Sequence, residues 1–215
     1  EVTISDYDDL VSFSNIEDIV SEINPDIIID VMDNFKVRFL INEVCHKYEI
    51  PWVYGAAVGS KGTVYGIDYQ GPCLKCLMQT IPETGDSCAI NGVLPPIVSI
   101  VASYEVAEVI RYLSGKGFSK QMITIDAFDL SYKAMNVDIL KNDECPVCEN
   151  HQYDLLETKQ ENTIEQMCGH TYLFRMPKHA FDYSNHFPGN IVKATSFAKL
   201  IKYENYEFTL FKDGR

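Results

Sequence analysis

The sequence predicts an α/β fold with a mixed sheet, and three observations carry that expectation. Ile27, Ile28, Ile29 and Val31 form a β-branched apolar run, as in a strand buried on both faces. The period then changes, and Val37, Leu40, Ile41, Val44 and Tyr48 follow helical spacing. After the next strand, Pro51–Ala57, glycines punctuate alternating apolar and polar residues, so the chain turns back through antiparallel strands.

In order, Val2–Ser5 reads as a short strand. Ser14-Asn15-Ile16-Glu17 fits a capping box, with Ser14 closing the helix start and Glu17 reaching back. Ile16, Ile19, Val20 and Ile23 give that helix one apolar face, and Asn24-Pro25 stops it. In the following strand-to-helix turn, Asn34 suits an N-cap. Asp33 then lies just beyond the carboxyl end of a parallel strand, where open α/β sheets bind ligands. A carboxylate there can hold Mg²⁺; the same residue also reads as a solvated turn acid.

Gly55, Gly59, Gly62 and Gly66 match neither G-x-G-x-x-G nor G-x-x-x-x-G-K-[ST], and they precede a strand, so a turn is expected there and not a phosphate loop. Pro95-Pro96 opens a long helix whose Val98, Val101, Ala102, Val106, Val109, Ile110 and Leu113 are expected to face the core. Ser114-Gly115 ends it. Met122–Asp126 and Tyr132–Ile139 read as strands. Beyond a polar stretch come a strand near Thr171–Arg175, a helix around Ala194–Tyr203 and a strand at Tyr206–Phe211.

Charge and cysteine usage narrow the function. A formal net charge of −13 over 215 residues repels nucleic-acid phosphates and anionic membrane surfaces, so neither is an expected partner. No signal peptide and no membrane-length apolar run is present, which makes a cytoplasmic location the default. The ends, strand-like VTIS after Glu1 and Asp213-Gly214-Arg215, read as cuts within a larger protein. Four of the seven cysteines form two C-x-x-C pairs, Cys73/Cys76 and Cys145/Cys148. Two such turns converge on one tetrahedral zinc ion, a staple with no open position for catalysis. A redox dithiol is disfavoured by the presence of two separate pairs. Cys88 stands alone in a polar loop before a helix start, where a thiol can be an activated nucleophile or simply an inert side chain. Cys45 and Cys168 read as packing residues, and the five histidines as surface or loop residues.

Taken together, these residues resemble the ThiF/MoeB/HesA family, bacterial relatives of ubiquitin-activating enzymes. The resemblance rests on D-x-x-D-N-x-x-x-R-x-x-x-N from Asp30 to Asn42, P-x-V-x-G-A-A from Pro51, PCLKCL, the lone Cys88, GVLPP before a helix ending L-S-G, and CPVC. It covers residues 1 to 150, and more weakly the tail through CGH and FTLFKDGR. It implies the second half of a Rossmann-like mixed sheet with flanking helices and a tetra-cysteine zinc site. Residues 1–150 would be the carboxyl-terminal part of an adenylation domain, 151–162 a linker, and 163–215 a small α+β domain.

The family adenylates the C-terminal glycine of a ubiquitin-fold sulfur carrier, ThiS-like or MoaD-like, with ATP and Mg²⁺, for thiamine or molybdopterin synthesis. By resemblance Asp33 holds the magnesium, Asn34 lies beside the nucleotide, and Cys88 joins covalently to the carrier or relays sulfur. Cys73, Cys76, Cys145 and Cys148 match the zinc ligands, and Arg38 and Asn42 would fix the nucleotide-facing loop. The family also implies a homodimer. Its glycine-rich nucleotide loop lies upstream of this stretch, so the 215 residues alone are expected to be inactive. A non-catalytic, zinc-stapled protein-docking module is the alternative.

Overall fold

The computed structural model describes residues 2–7, 11–80, 92–158, 164–166, 172–174, 176 and 178–214. The chain divides into two compact units, residues 1–159 and 160–215.

The first unit is a mixed α/β fold around a five-stranded sheet in the order β1-β2-β3-β4-β5. Helix α1 (Ile16–Ile23) precedes β1 (Ile28–Ile29), α2 (Phe35–Lys47) and β2 (Trp52–Val58). β1 and β2 pair parallel through Ile28↔Trp52 and Ile29↔Val53. β3 (Lys61–Ile67), β4 (Gln121–Asp126) and β5 (Ser131–Asn136) each pair antiparallel to the strand before. Between β3 and β4 come the short α3 (Leu74–Leu77) and the long α4 (Pro95–Arg111).

The two-residue period of β2 builds a core on each side of the sheet. Trp52 and Tyr54 face Phe39, Leu40 and Val44 of α2, while Val53 faces Ile97 and Val101 of α4. The glycine-punctuated stretch is the hairpin expected from its turns, and two of its glycines also let α4 lie close. A Cβ on Gly62 would come within 2.4 Å of Val101, and one on Gly55 within 2.0 Å of the Glu105 carboxylate.

Several expectations are corrected. Strand β1 is only Ile28–Ile29, and within these 215 residues Ile29 and, beyond the strand, Val31 are 38% and 74% exposed, so the run is not buried on both faces here. Val2–Ser5 forms no strand, and Val2 and Ile4 are exposed. The first helix has Asn15 at its N-cap, not Ser14. Asn15 Oδ1 accepts from the Ser12 amide at 2.8 Å, and Glu17 accepts from Lys47 at the end of α2 and from Tyr48 just after it, in place of reaching back. The strand expected over Tyr132–Ile139 stops at Asn136, where Asp138–Leu140 makes a 3-10 turn.

Helix α4 is rotated from its expected phase. Ile97, Val101, Glu105 and Glu108 face inward, while Val98, Val106, Ile110 and Leu113 are exposed. A helix apolar on several sides has no single stripe for periodicity to find.

In the second unit, β6 (Ile164–Gln166) pairs with β7 (Tyr172–Phe174), and β8 (Asn190–Ala194), β9 (Ala198–Tyr203) and β10 (Tyr206–Phe211) form a three-stranded antiparallel sheet. The helix expected around Ala194–Tyr203 is therefore absent. Thr195 Oγ1 accepts from the Phe197 and Ala198 amides, tightening a turn, and β9 pairs on both edges. Two ladders outweigh the modest helix preference of Ala, Lys and Leu.

Candidate functional site

Two constellations are built on the first unit. One is the set of four cysteines. The backbone closes each C-x-x-C into a turn: the Cys76 and Leu77 amides donate to the Cys73 carbonyl, and those of Glu149 and Asn150 donate to that of Cys145. The four sulfurs lie within 4.8 Å of one another. The separations Cys73–Cys145, Cys76–Cys148 and Cys73–Cys76 are 3.7, 3.5 and 3.9 Å. Four thiolates at ~2.3 Å from a central zinc would stand ~3.8 Å apart, so the spacing fits a tetrahedral ion. It is far too long for a disulfide.

Helix α2 fastens this knot. Asn42, fully buried, accepts from the Leu74 amide at 2.9 Å and points its Nδ2 at Cys73 Sγ, 3.9 Å away. Asn42 thus serves the cysteine turn, not the loop expected from its place in the motif. On the same helix, Glu43 accepts from the Leu155 and Leu156 amides at 2.9 and 3.1 Å, capping the short helix Asp154–Glu157. Burial pushes its carboxyl up to about 7. His46, expected at the surface, is buried with Nδ1 3.0 Å from Tyr153 Oη. Cys45 is buried as a packing residue, and burial drives its thiol well above the ordinary range.

The other constellation is the end of β1. Asn34 caps α2, accepting from the Val37 amide at 2.9 Å. Asp33 is exposed just before it, with Oδ1 accepting from Asn34 Nδ2 at 3.2 Å. Beneath them is a buried ion pair, Arg38 Nε to Asp30 Oδ2 at 3.0 Å. This pair grips the Met32 peptide from both sides. Asp30 Oδ1 accepts the Met32 amide at 2.9 Å, and Arg38 Nη2 donates to the Met32 carbonyl at 2.5 Å. The same Nη2 reaches the Gly55 carbonyl on β2 at 2.9 Å. Burial pushes the Asp30 carboxyl up to about 6, against the pull of Arg38 and of the Met32 and Gly55 amides.

Sequence reasoning missed Glu105. It stands on α4, only 4% exposed, and its Oε1 has no hydrogen-bond partner among the described residues. Burial, then the neighbouring Asp30, pushes its carboxyl up to about 7, while Arg38 pulls it down. Its only sequence signal is its place one turn after Val101, on the Ile97–Val101 face. Cys88, like Cys168 and His170, lies outside the described residues. Among the described residues no helix is long and apolar enough to cross a membrane.

Residues 1–147 match the ThiF family. The sulfur carrier protein ThiS adenylyltransferase of Bacillus subtilis is 29% identical over 160 residues, covering 74% of this chain and 47% of that protein. The SAMP-activating enzyme E1 of Haloferax volcanii is 30% identical over 161 residues, 73% of this chain and 58% of its own length. The molybdopterin-synthase adenylyltransferase of Escherichia coli is 31% identical over 127 residues, 57% and 50% of the two chains. This chain thus spans about half the length of the curated relatives it matches. Among solved structures, E. coli MccB superposes with a TM-score of 0.52 at 16% identity, over 70% of this chain and 45% of that one, a likeness of fold. Family match and fold agree with the motif from Asp30 to Asn42: the chain belongs to the ThiF family.

Proposed function

We propose that this chain is the carboxyl-terminal part of an adenylyltransferase that uses ATP and Mg²⁺ to activate the C-terminal glycine of a ubiquitin-like sulfur carrier, in thiamine or molybdopterin synthesis. The observation that carries the reading is the exposed Asp33 at the tip of a parallel strand, on a loop braced by a buried ion pair, in a chain whose relatives are named adenylyltransferases.

The chemistry suits such a site. A carrier carboxylate oxygen bonds to the α-phosphorus of ATP as the bond to pyrophosphate breaks. Joining two anions needs alignment and positive charge more than a protein acid or base. Asp33 is the residue to hold a magnesium ion, which when bound screens the phosphate charge; Asn34 flanks the nucleotide. The Asp30–Arg38 clamp keeps the Met32 peptide, and so the Asp33 side chain, in a fixed place. Cys73, Cys76, Cys145 and Cys148 hold a structural zinc, and their all-thiolate set and closed geometry support that ion. Cys88 is the candidate for covalent exchange with the carrier. The whole enzyme acts as a homodimer in the cytoplasm.

The test is carrier-dependent exchange of pyrophosphate into ATP by the longer enzyme. Asp33→Ala should abolish exchange while zinc content and melting temperature hold; unchanged exchange would remove Asp33 from the mechanism. The 215 residues alone should show none. A carrier that binds the enzyme without ever being adenylated would point to the docking module.

A further inference from the structure

Gly55 gathers three charged side chains from three elements behind the β1 loop: Arg38 of α2 donates to its carbonyl at 2.9 Å and pairs with Asp30 at the strand's end, and the Glu105 carboxyl of α4 lies where a Cβ on Gly55 would stand. One guanidinium faces two buried carboxyls. Its hydrogen bonds and ion pair are already assigned, to Asp30 and to the carbonyls of Met32 and Gly55. None goes to Glu105, whose carboxyl lies flat on Gly55, where any Cβ would meet it. An ionised carboxylate cannot remain buried beside a cation already engaged elsewhere without drawing on it. Glu108, one turn along α4, does not share this role, because its Oε2 accepts the Ser119 amide at 2.8 Å.

We propose that Glu105 is a positioning residue for the β1 loop: as the neutral acid it leaves Arg38 to Asp30 and to the Met32 and Gly55 carbonyls, and its ionisation draws the guanidinium off them and loosens the segment carrying Asp33. The step is a simple proton loss to solvent. Among the described residues the charged groups acting on Glu105 are Asp30 and Arg38, and Tyr54 of β2 lies over Arg38 with its ring 5.4 Å from the guanidinium carbon. The carboxyl's raised proton affinity, with a midpoint of about 7, puts the change within reach of ordinary buffers. The importance of the loop for catalysis rests on the adenylation reading above; the coupling itself does not.

The experiment is a carboxyl-carbon and amide NMR titration of the zinc-loaded 215-residue chain from pH 5 to 9. The Glu105 carboxyl should titrate near neutrality, and the Met32, Asp33 and Gly55 amides should shift with the same midpoint. In E105Q the amide step that follows the Glu105 carboxyl should vanish, leaving only the step near 6 that belongs to Asp30, which holds the Met32 amide. Amides that stay flat through the Glu105 step, or that move alike in E105Q, overturn the proposal. The second outcome would assign the motion to Asp30 or to Glu43, whose carboxyl also stands near 7. If E105Q fails to fold, E43Q decides: amides that still titrate with the Glu105 carboxyl support the proposal, and amides that lose the step near 7 assign it to Glu43 and overturn the proposal.

In the longer enzyme, exchange should fall roughly tenfold from one pH unit below the midpoint to one above, the ratio of protonated fractions, and E105Q should lack that alkaline limb. An active enzyme with a flat titration overturns only the role of Glu105. A co-titrating loop in an enzyme that adenylates nothing overturns only the proposed activity.

Discussion

The cysteine knot and the β1 loop solve opposite problems with the same helix. Along α2, Asn42 and Glu43 tie down the knot and the helix that follows it, while one turn earlier Arg38 braces the loop. At the knot the functional atoms are withdrawn from solvent: Cys73 and Cys145 are 1% exposed, Cys76 and Cys148 are half-buried, and the four sulfurs would fill a tetrahedral donor set by themselves. At the loop the buried atoms are only the support, and the residue that would meet a ligand, Asp33, is left in solvent. A closed donor set contributes stability, and an open carboxylate on a braced loop offers chemistry. Mutations should therefore separate the two regions by what they destroy.

The largest effect should come from the knot. Cys145→Ser removes one of four thiolates from a site whose ion would contribute about 10–16 kcal/mol of apparent binding energy. Loss of that ion leaves a buried thiol at Cys73 and half-buried ones at Cys76 and Cys148 with no common partner, and the first unit should no longer melt cooperatively. Metal analysis should find one zinc per wild-type chain and none in the variant, and a strong chelator should reproduce the loss in circular dichroism. A wild-type melt indifferent to the chelator would refute the staple and leave the four cysteines as ordinary core.

Next comes the support of the loop. Arg38→Ala strands the Asp30 carboxylate in the interior, and breaking a buried pair from one side costs about 3–5 kcal/mol. The cost should depend on pH, with a definite sign. Asp30 already has a raised midpoint of about 6, so its stabilising share is greatest at low pH and is lost as pH rises from the unfolded value near 4 through 6. Without Arg38 the carboxyl holds its proton to higher pH still, so the loss extends upward. Urea denaturation should show the variant closer to wild type at pH 5 than at pH 8. An equal deficit at both would mean that the guanidinium acts by packing on Phe35 and Tyr54, whose ring centres lie 5.4 Å away, and not by charge.

What the sequence discloses follows the same division. The knot is legible because its chemistry depends on spacing: two C-x-x-C turns need no knowledge of the fold to be paired. The Asn34 cap and the strand-to-helix change at Asp33 are legible because both are local. The support beneath the loop is not, since Asp30, Arg38 and Glu105 come from three elements and Glu105 meets them only once α4 has chosen its face. That face is hidden for a physical reason. Val98, Val106 and Ile110 are as apolar as Ile97 and Val101, and glycines on β2 and β3, not hydrophobicity, decide which side lies close. In the second unit, β8 and β9 stand where Ala194–Tyr203 was expected helical, because a central strand is made by its neighbours more than by its own residues.

The smallest effect can sharpen the comparison most, because Asn34 stands at both a cap and the candidate site. Asn34→Ala removes the acceptor of the Val37 amide and should cost about 1 kcal/mol, read as a lower urea midpoint. Asn34→Ser keeps a capping oxygen and should recover most of that stability, but it lacks the amide that donates to Asp33 Oδ1 at 3.2 Å. If Asn34 serves only the helix, the serine variant of the longer enzyme should exchange pyrophosphate at the wild-type rate. If its amide holds the Asp33 carboxylate toward a ligand, exchange should remain impaired in the serine variant although its stability is restored. A serine variant restored in both would reduce this residue to a cap and leave Asp33 held by the Met32 clamp alone.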